Sequence, residues 1–152
     1  MNYKLLKINK YYPEHIKYIH EQIDSKSMSY NDIISHYLMH KDYYINTMKE
    51  LGNPTEEVIY NDSQLQSKWC QENGIQIPDN LFDILTEQIR MIKPDVIFWN
   101  GIDYDYIKSI RSEFPFIKIH FTQSGVELPP IRNLEPFDFV LSCLKPQIRK
   151  MR

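Results

Sequence analysis

The chain has 152 residues, with 18 basic and 20 acidic side chains and a formal net charge of -2. This length fits one domain with an adequate core, and the near balance of charge gives no reason to expect nucleic acid or an anionic membrane as a partner. No apolar run approaches the roughly 20 residues that cross a bilayer, and the N-terminus lacks a signal-peptide pattern. We therefore predict a cytoplasmic protein with no membrane span and no nucleic-acid partner.

The first third of the chain is predicted to hold one strand and two helices. Tyr3–Ile8 is the first predicted strand, and Pro13 fits the first turn of the next helix, because the missing proline N–H is not needed there. A long second helix is predicted from about Tyr30 to Leu51, where apolar residues recur at three- and four-residue spacing. Ser29 is suited to cap its N-terminus, and Gly52 lies where a left-handed residue often follows a helix.

The middle of the chain is predicted to continue with a strand and two helices. Glu56–Tyr60 is the second predicted strand. Asp62 or Ser63 is suited to cap a third helix, which ends near Gly74. Asp79 is predicted to cap a fourth helix, which has a continuous apolar face.

The most informative segment is Val96–Trp99, four apolar residues in a row without polar alternation. A strand that is apolar on both faces is buried on both faces, as in a parallel sheet covered by helices. Asp103 then opens a helix that Pro115 ends. The fourth and fifth strands are predicted at Ile117–Thr122 and Phe139–Leu144.

Strands that alternate with helices predict the α/β class. We expect a Rossmann-like three-layer sandwich, with a mainly parallel five-stranded sheet in the order 2-1-3-4-5 and helices on both faces. This order reverses between strands one and three, and ligands bind at such a reversal, beyond the carboxyl ends of the strands. The crevice would then be lined by Asn9–Tyr12, Asn100–Asp103 and Gln123–Glu127.

Common catalytic and nucleotide-binding motifs do not occur in the sequence. The turn INKYYPE (8–14) has no glycine-rich fingerprint, and there is no P-loop, GxSxG or HExxH motif. A receiver-type phosphoacceptor would need acidic residues where Asn9 and Asn100 stand. Cys70 and Cys143 lie far apart without metal-ligand spacing, so we interpret them as reduced packing residues. We predict no metal site and no cofactor.

Two side chains are candidate catalytic bases. His20 lies on the first predicted helix together with His15, and a histidine at the crevice can accept a proton near neutral pH. A histidine on the helix surface is the alternative for each of them. Asp103 also lies at the crevice and could act as a base, although a helix N-cap alone explains it. We interpret His120, inside a predicted strand, as a packed neutral residue.

Further crevice residues are candidates for substrate binding. Lys10 could neutralise a phosphate, and Glu127 could bond to a hydroxylated substrate. Ser124 and Gly125 offer backbone donors and a close approach for a ligand. A solvated lysine, an exposed carboxylate and an ordinary turn are the alternatives. The predicted binding residues together are Asn9, Lys10, Tyr11, Asn100, Gly101, Ser124, Gly125 and Glu127.

Five segments follow one another along almost the whole chain: KINKYYPEHIKYIHEQ (7–22), SYND (29–32), LGNPTEEVIYNDSQLQSKWCQENGI (51–75), IKPDVIFWNG (92–101) and FDFVLSCLKPQIRKMR (137–152). In this order they resemble the N-terminal domain of the CgeB-like (spore maturation protein type) glycosyltransferases. The resemblance implies the two-domain GT-B fold.

The resemblance also implies an activity, the transfer of a sugar from a nucleotide-sugar donor to a hydroxyl of a glycan or other acceptor. In such enzymes the N-terminal domain handles the acceptor, the C-terminal domain holds the donor, and the active site lies between them. His20 or Asp103 would deprotonate the acceptor hydroxyl. The chain ends at Arg152 without the donor domain. We therefore expect one acceptor-side domain over 1–152, with little transferase activity by itself.

Two other functions stay open at this point. The same fold could be a non-catalytic interaction module, whose exposed apolar surface docks a partner protein or a second copy of the chain. Val126–Pro136 and Pro146–Arg152 are candidates for that surface. The chain could instead be a small flavodoxin-like enzyme, which the missing phosphate loop after the first strand disfavours.

Overall fold

The structure is a computed structural model that describes residues 2–37, 43–124 and 134–142. Its elements in chain order are β1 (Leu5–Asn9), α1 (Pro13–Gln22), α2 (Tyr30–Tyr37), α3 (Tyr43–Glu50), β2 (Thr55–Ile59), α4 (Ser63–Glu72), α5 (Leu81–Ile92), β3 (Val96–Asn100), α6 (Tyr104–Glu113), β4 (Ile119–Ser124) and β5 (Phe139–Ser142). Within these ranges, no helix combines the length and the apolar character needed to cross a membrane.

The strands form one parallel sheet in the order β2-β1-β3-β4-β5, which confirms the predicted topology. β3 lies at its centre, and Val96–Trp99 are all buried, as expected for a strand covered on both faces. β1 pairs with β2 on one side and with β3 on the other, so that Asn9 lies opposite both Ile59 and Asn100. The strand order therefore reverses between β1 and β3, as predicted.

Helices cover both faces of the sheet. Successive side chains of a strand point to opposite faces, so a strand that is apolar throughout needs cover on each face. On one face, Ile97 and its neighbours pack with α5 and α6 in one core cluster. On the other face, Met48 of α3 packs with Leu5 and Phe98. α1, α2 and α4 gather around Ile59, beside β2. The architecture is therefore an α/β Rossmann-like sandwich.

Several predicted boundaries need correction. The N-cap of α5 is Asn80, whose side chain accepts a hydrogen bond from the backbone N–H of Phe82 at 2.9 Å, so the prediction of Asp79 was wrong. β4 begins two residues later than predicted, because Ile117 still belongs to a turn that bonds back to Phe114. The predicted helix over 30–51 is described as α2 and α3, and residues 38–42 between them lie outside the described ranges.

Other predicted helix ends are confirmed. The Ser29 hydroxyl accepts a hydrogen bond from the backbone N–H of Asp32 at 3.2 Å, as an N-cap does. Asp62 caps α4 and Asp103 caps α6. Gly52 adopts a positive φ of 79° after α3. Because α4 follows β2 and α6 follows β3, their two aspartate caps lie at the carboxyl edge of the parallel sheet.

Candidate functional site

The crevice at the strand reversal is lined by two asparagines that bond to each other. Asn100 donates from Nδ2 to Oδ1 of Asn9 at 3.0 Å. Asn9, only 2 % exposed, donates in turn from its own Nδ2 to the carboxylate of Glu57 on β2. The structure thus brings two predicted binding residues together, but it uses Asn9 for contacts within the protein and leaves only Asn100 exposed.

The turn after β3 packs closely against the segment after β1. The backbone N–H of Lys10 donates to the carbonyl of Asn100 at 3.0 Å. Gly101 has a φ of 76°, and a Cβ on this residue would lie 3.0 Å from Cβ of Lys10. Only glycine combines that backbone with so close an approach at low cost. Lys10 and Gly101 are therefore neighbours, as predicted, and the Lys10 side chain is exposed.

Tyr11 joins the ends of β1 and β2 instead of facing β3. Its backbone N–H donates to Oδ1 of Asn61 at 2.9 Å, and Nδ2 of Asn61 donates back to its carbonyl at 2.7 Å. Its ring contacts the rings of Tyr37 and His15, each with centroids 5.1 Å apart. Burial, aided by the charge of Glu57, raises the pKa of Tyr11 to about 12. Its phenol therefore stays neutral at physiological pH.

His20 is held by a buried carboxylate that follows β2. Its Nε2 lies 2.7 Å from Oδ2 of Asp62, which is 2 % exposed. The same oxygen accepts the hydroxyl of Tyr37 at 2.6 Å. The other oxygen caps α4 by accepting the backbone N–H groups of Gln64 and Leu65, both at 3.1 Å. Asp62 thus joins α1, α2 and α4 through one carboxylate.

These contacts assign the atoms of the His20 ring. A carboxylate accepts hydrogen bonds, so Nε2 carries the proton that points to Asp62, and in the neutral ring Nδ1 carries the lone pair. Nδ1 is buried and accepts no hydrogen bond from any described residue. A histidine whose one nitrogen is bonded to aspartate, with the other left as an acceptor, has the arrangement of a general base that is held in one tautomer.

His20 and Asp62 lie in the wall of a cavity of about 460 Å³. The cavity opens between α1 and the start of α4, on the β2 side of the sheet. Its lining residues are Pro13, Ile16, Lys17, His20, Glu21, Asn61, Asp62, Ser63 and Gln64. The cavity therefore combines an apolar wall from α1 with amide, hydroxyl and imidazole groups, as is common in sites for small polar ligands.

The second predicted catalytic residue, Asp103, lies elsewhere. Oδ1 of Asp103 accepts the backbone N–H groups of Asp105 and Tyr106 at 3.0 and 3.1 Å, so it is an N-cap. Over the described ranges, it shares no hydrogen bond or ion pair with His20. The geometry accounts for Asp103 as a cap, whereas it gives His20 both an orienting carboxylate and a cavity.

The remaining predicted binding residues follow β4. Ser124 is the last residue of β4 and lies opposite Ser142 of β5. β3 separates β4 from β1, so Ser124 lies apart from Asn9 along the carboxyl edge. Gly125 and Glu127 lie outside the described residues.

A buried ion pair lies beneath the crevice and was not predicted. The Glu57 side chain is 5 % exposed, and Nζ of Lys7 lies 3.9 Å from its Oε1. Burial raises the pKa of the Glu57 carboxyl, while the charge of Lys7 acts in the opposite direction. Burial likewise lowers the pKa of Lys7. Lys7 and Glu57 lie directly opposite each other on the adjacent strands β1 and β2. The sequence could have indicated this ion pair only if the pairing of the two strands had been known.

The partners of His20 were also missed. Asp62 was predicted only as a cap, and Tyr37 falls within the helix predicted from about Tyr30 to Leu51 without a role of its own. One signal was available, because residues that follow β1 and β2 meet at the same edge of a parallel sheet. Among the described residues, no group of three or more His, Cys, Asp or Glu side chains is placed to hold a metal ion.

No protein-family model, curated protein or solved structure matches the chain.

Proposed function

We propose that the chain is the acceptor-binding domain of a glycosyltransferase that moves a sugar from a nucleotide-sugar donor to a hydroxyl of a glycan or other acceptor. The observation that carries this proposal is the 2.7 Å contact between His20 and the buried Asp62 at the wall of the 460 Å³ cavity. The sequence resemblance supports it, as does the position of the cavity at the carboxyl edge of the sheet.

In this proposal His20 is the general base. The acceptor hydroxyl gives its proton to the His20 imidazole, its oxygen bonds to the anomeric carbon, and the bond from that carbon to the nucleotide phosphate breaks. Asp62 keeps Nε2 protonated and stabilises the imidazolium that forms, as an aspartate does beside a catalytic histidine. Asp103 takes no part in proton transfer here, because Oδ1 caps α6. The donor nucleotide binds a second α/β unit, as the resemblance implies.

Sugar binding to the purified chain tests this proposal. Titration with neutral mono- and disaccharides, followed by amide and imidazole NMR, is expected to shift the resonances of His20, Ile16 and Gln64 around the cavity. His20→Gln should weaken binding, because the imidazole in the cavity wall is lost. His36→Gln on α2 is the matched control, since His36 does not line the cavity. Shifts confined to Asn100 and Gly101, or no binding at all, would overturn the proposal.

A second candidate function, an interaction module, is favoured by one apolar surface. Phe139 and Leu141 lie two residues apart on β5, so they share one sheet face, and they are 44 % and 46 % exposed. The Phe139 ring stacks on Phe121 with centroids 5.0 Å apart. If a second copy of the chain binds here, Phe139→Gln with Leu141→Gln should convert a dimer to a monomer in light scattering. A monomeric wild-type chain would exclude this dimer.

A further inference from the structure

A second cavity adjoins the first along α4. Its volume is about 250 Å³, and it is lined by Ser25, Lys26, Ile33, Gln64, Ser67, Lys68 and Gln71. Gln64 lines both cavities, so the two lie side by side along one flank of the helix. This second lining includes two lysines and no acidic residue.

Neither lysine of this lining lies within 4.0 Å of a carboxylate oxygen of a described residue. Neither Lys26 nor Lys68 forms a salt bridge within the described ranges, and Lys68 is half-buried. By contrast, Lys17 in the first cavity pairs with Glu21 at 3.8 Å. Two unneutralised ammonium groups that share a cavity with hydroxyl and amide donors form an arrangement suited to an anion.

The spacing along α4 relates the lysines to His20. Asp62 caps the helix, and Lys68 lies six residues further along, which is a rise of roughly 9 Å at 1.5 Å per residue. A single ligand could therefore present a hydroxyl to His20 and an anionic group to Lys68. Gln64, one turn before Lys68, lies between these two ends on the same flank.

We infer that the acceptor is an anionic sugar, whose reactive hydroxyl lies at His20 and whose phosphate or carboxylate binds Lys26 and Lys68. This inference rests on the proposed acceptor-binding function and specifies the class of acceptor. The anion interacts with both lysines at low ionic strength, and added salt weakens that interaction because the site is open to solvent.

Calorimetric titrations of the chain with four probes test the inference. The probes are glucose, glucose 6-phosphate, glucuronate and inorganic phosphate. At low salt, at least one anionic sugar should bind about tenfold more tightly than glucose, since hydrogen bonds from ammonium groups to an anion are stronger than those between neutral groups. The stronger of the two identifies phosphate or carboxylate as the recognised group.

Paired lysine variants locate the effect. The double variant Lys26→Gln with Lys68→Gln should lose the tenfold preference. Lys93→Gln is the matched control, because Lys93 is exposed, lies after α5 and lines neither cavity. Since all three lysines lie at the surface or near it, the variants are expected to fold, and a thermal unfolding scan of each one checks this.

The outcomes separate this inference from the proposed function. Equal affinities for glucose and the anionic sugars, together with NMR shifts of the His20 resonances, would overturn the inference and leave the acceptor function intact. Binding of phosphate and glucose 6-phosphate with equal affinity, and without shifts at His20, would overturn both. A preference for anionic sugars that survives in the double variant would also overturn the inference.

Discussion

The crevice between β1 and β3 and the cavity between α1 and α4 both lie at the carboxyl edge of the sheet, but they use their polar groups differently. In the crevice, the amides of Asn9 and Asn100 bond to each other. In the wall of the cavity, Asp62 holds Nε2 of His20, while the buried Nδ1 has no partner among the described residues. Position at a strand reversal therefore predicts where polar residues gather, whereas their hydrogen bonds decide which of them can serve a ligand.

The largest expected effect is the loss of the carboxylate that supports the cavity. Asp62→Ala removes the acceptor of the buried Tyr37 hydroxyl, of His20 Nε2 and of two backbone N–H groups. We expect the free energy of unfolding to fall by about 4 kcal/mol. The measurement is the urea midpoint at unchanged m-value.

Asp103→Ala is the matched control for this substitution. Asp103 also caps a helix through two backbone N–H groups, but it is exposed and supports no buried side chain in the described structure. Its loss should cost about 1 kcal/mol. Equal losses for the two variants would show that Asp62 is only a cap and would remove the structural basis for an oriented His20.

A somewhat smaller effect is expected from His120, whose Nε2 is buried and has no hydrogen-bond partner among the described residues. Trp99 donates from Nε1 to Nδ1 of His120 at 3.2 Å. Burial, with the charge of Arg111, lowers the pKa of His120 from 6.5 to about 4, against a smaller opposing effect of Asp138. Between these two values the unfolded chain binds more protons, so stability is present above pH 6.5 and is lost as pH falls towards 4.

The loss over that interval should reach about 3 kcal/mol. It is measured from denaturant unfolding between pH 7 and 4, in parallel with the imidazole NMR signals of His120. His120→Gln should flatten the profile. If His120→Gln leaves the dependence of stability on pH unchanged, another group titrates over this interval.

A substitution in the turn after β3, with a smaller effect than the loss of Asp62, tests how tightly the crevice is closed. Gly101→Ala places a methyl group on a backbone with positive φ and 3.0 Å from Cβ of Lys10, so stability should fall by about 2 kcal/mol. Gly74→Ala is the control, because Gly74 also has a positive φ but nothing lies within 4 Å of the added Cβ. Its cost should be about 1 kcal/mol. Identical losses of stability in the two variants would indicate that Lys10 moves away from the added methyl group at little cost.

Much of the fold could be predicted because its signals are local. The apolar run Val96–Trp99 has no alternation, and Asp62 and Asp103 are strong N-cap residues at the starts of helices. The error at Asp79 has a local cause as well. Asp79 and Asn80 are adjacent residues with similar capping preference, and only the backbone geometry of Asn80 decides between them.

The site could be predicted less well because its contacts join distant parts of the chain. His20 and Asp62 are 42 positions apart, and their contact depends on how α1 packs beside α4. No helix pattern contains that information. The sequence identified His20 as a candidate, but it placed His20 at the crevice of Asn9 and Asn100, whereas the structure places it at the β2 side.

The parallel pairing of β1 has a consequence for the order in which the protein forms. Leu5 pairs with Thr55, 50 positions later, and with Val96, 91 positions later. A ribosome must therefore complete β3 before the first strand can gain its second neighbour. Pairings this distant in sequence slow the folding search, because the chain loses loop entropy before the contacts form. The N-terminal strand should accordingly stay unpaired along one edge during synthesis until β3 has been made.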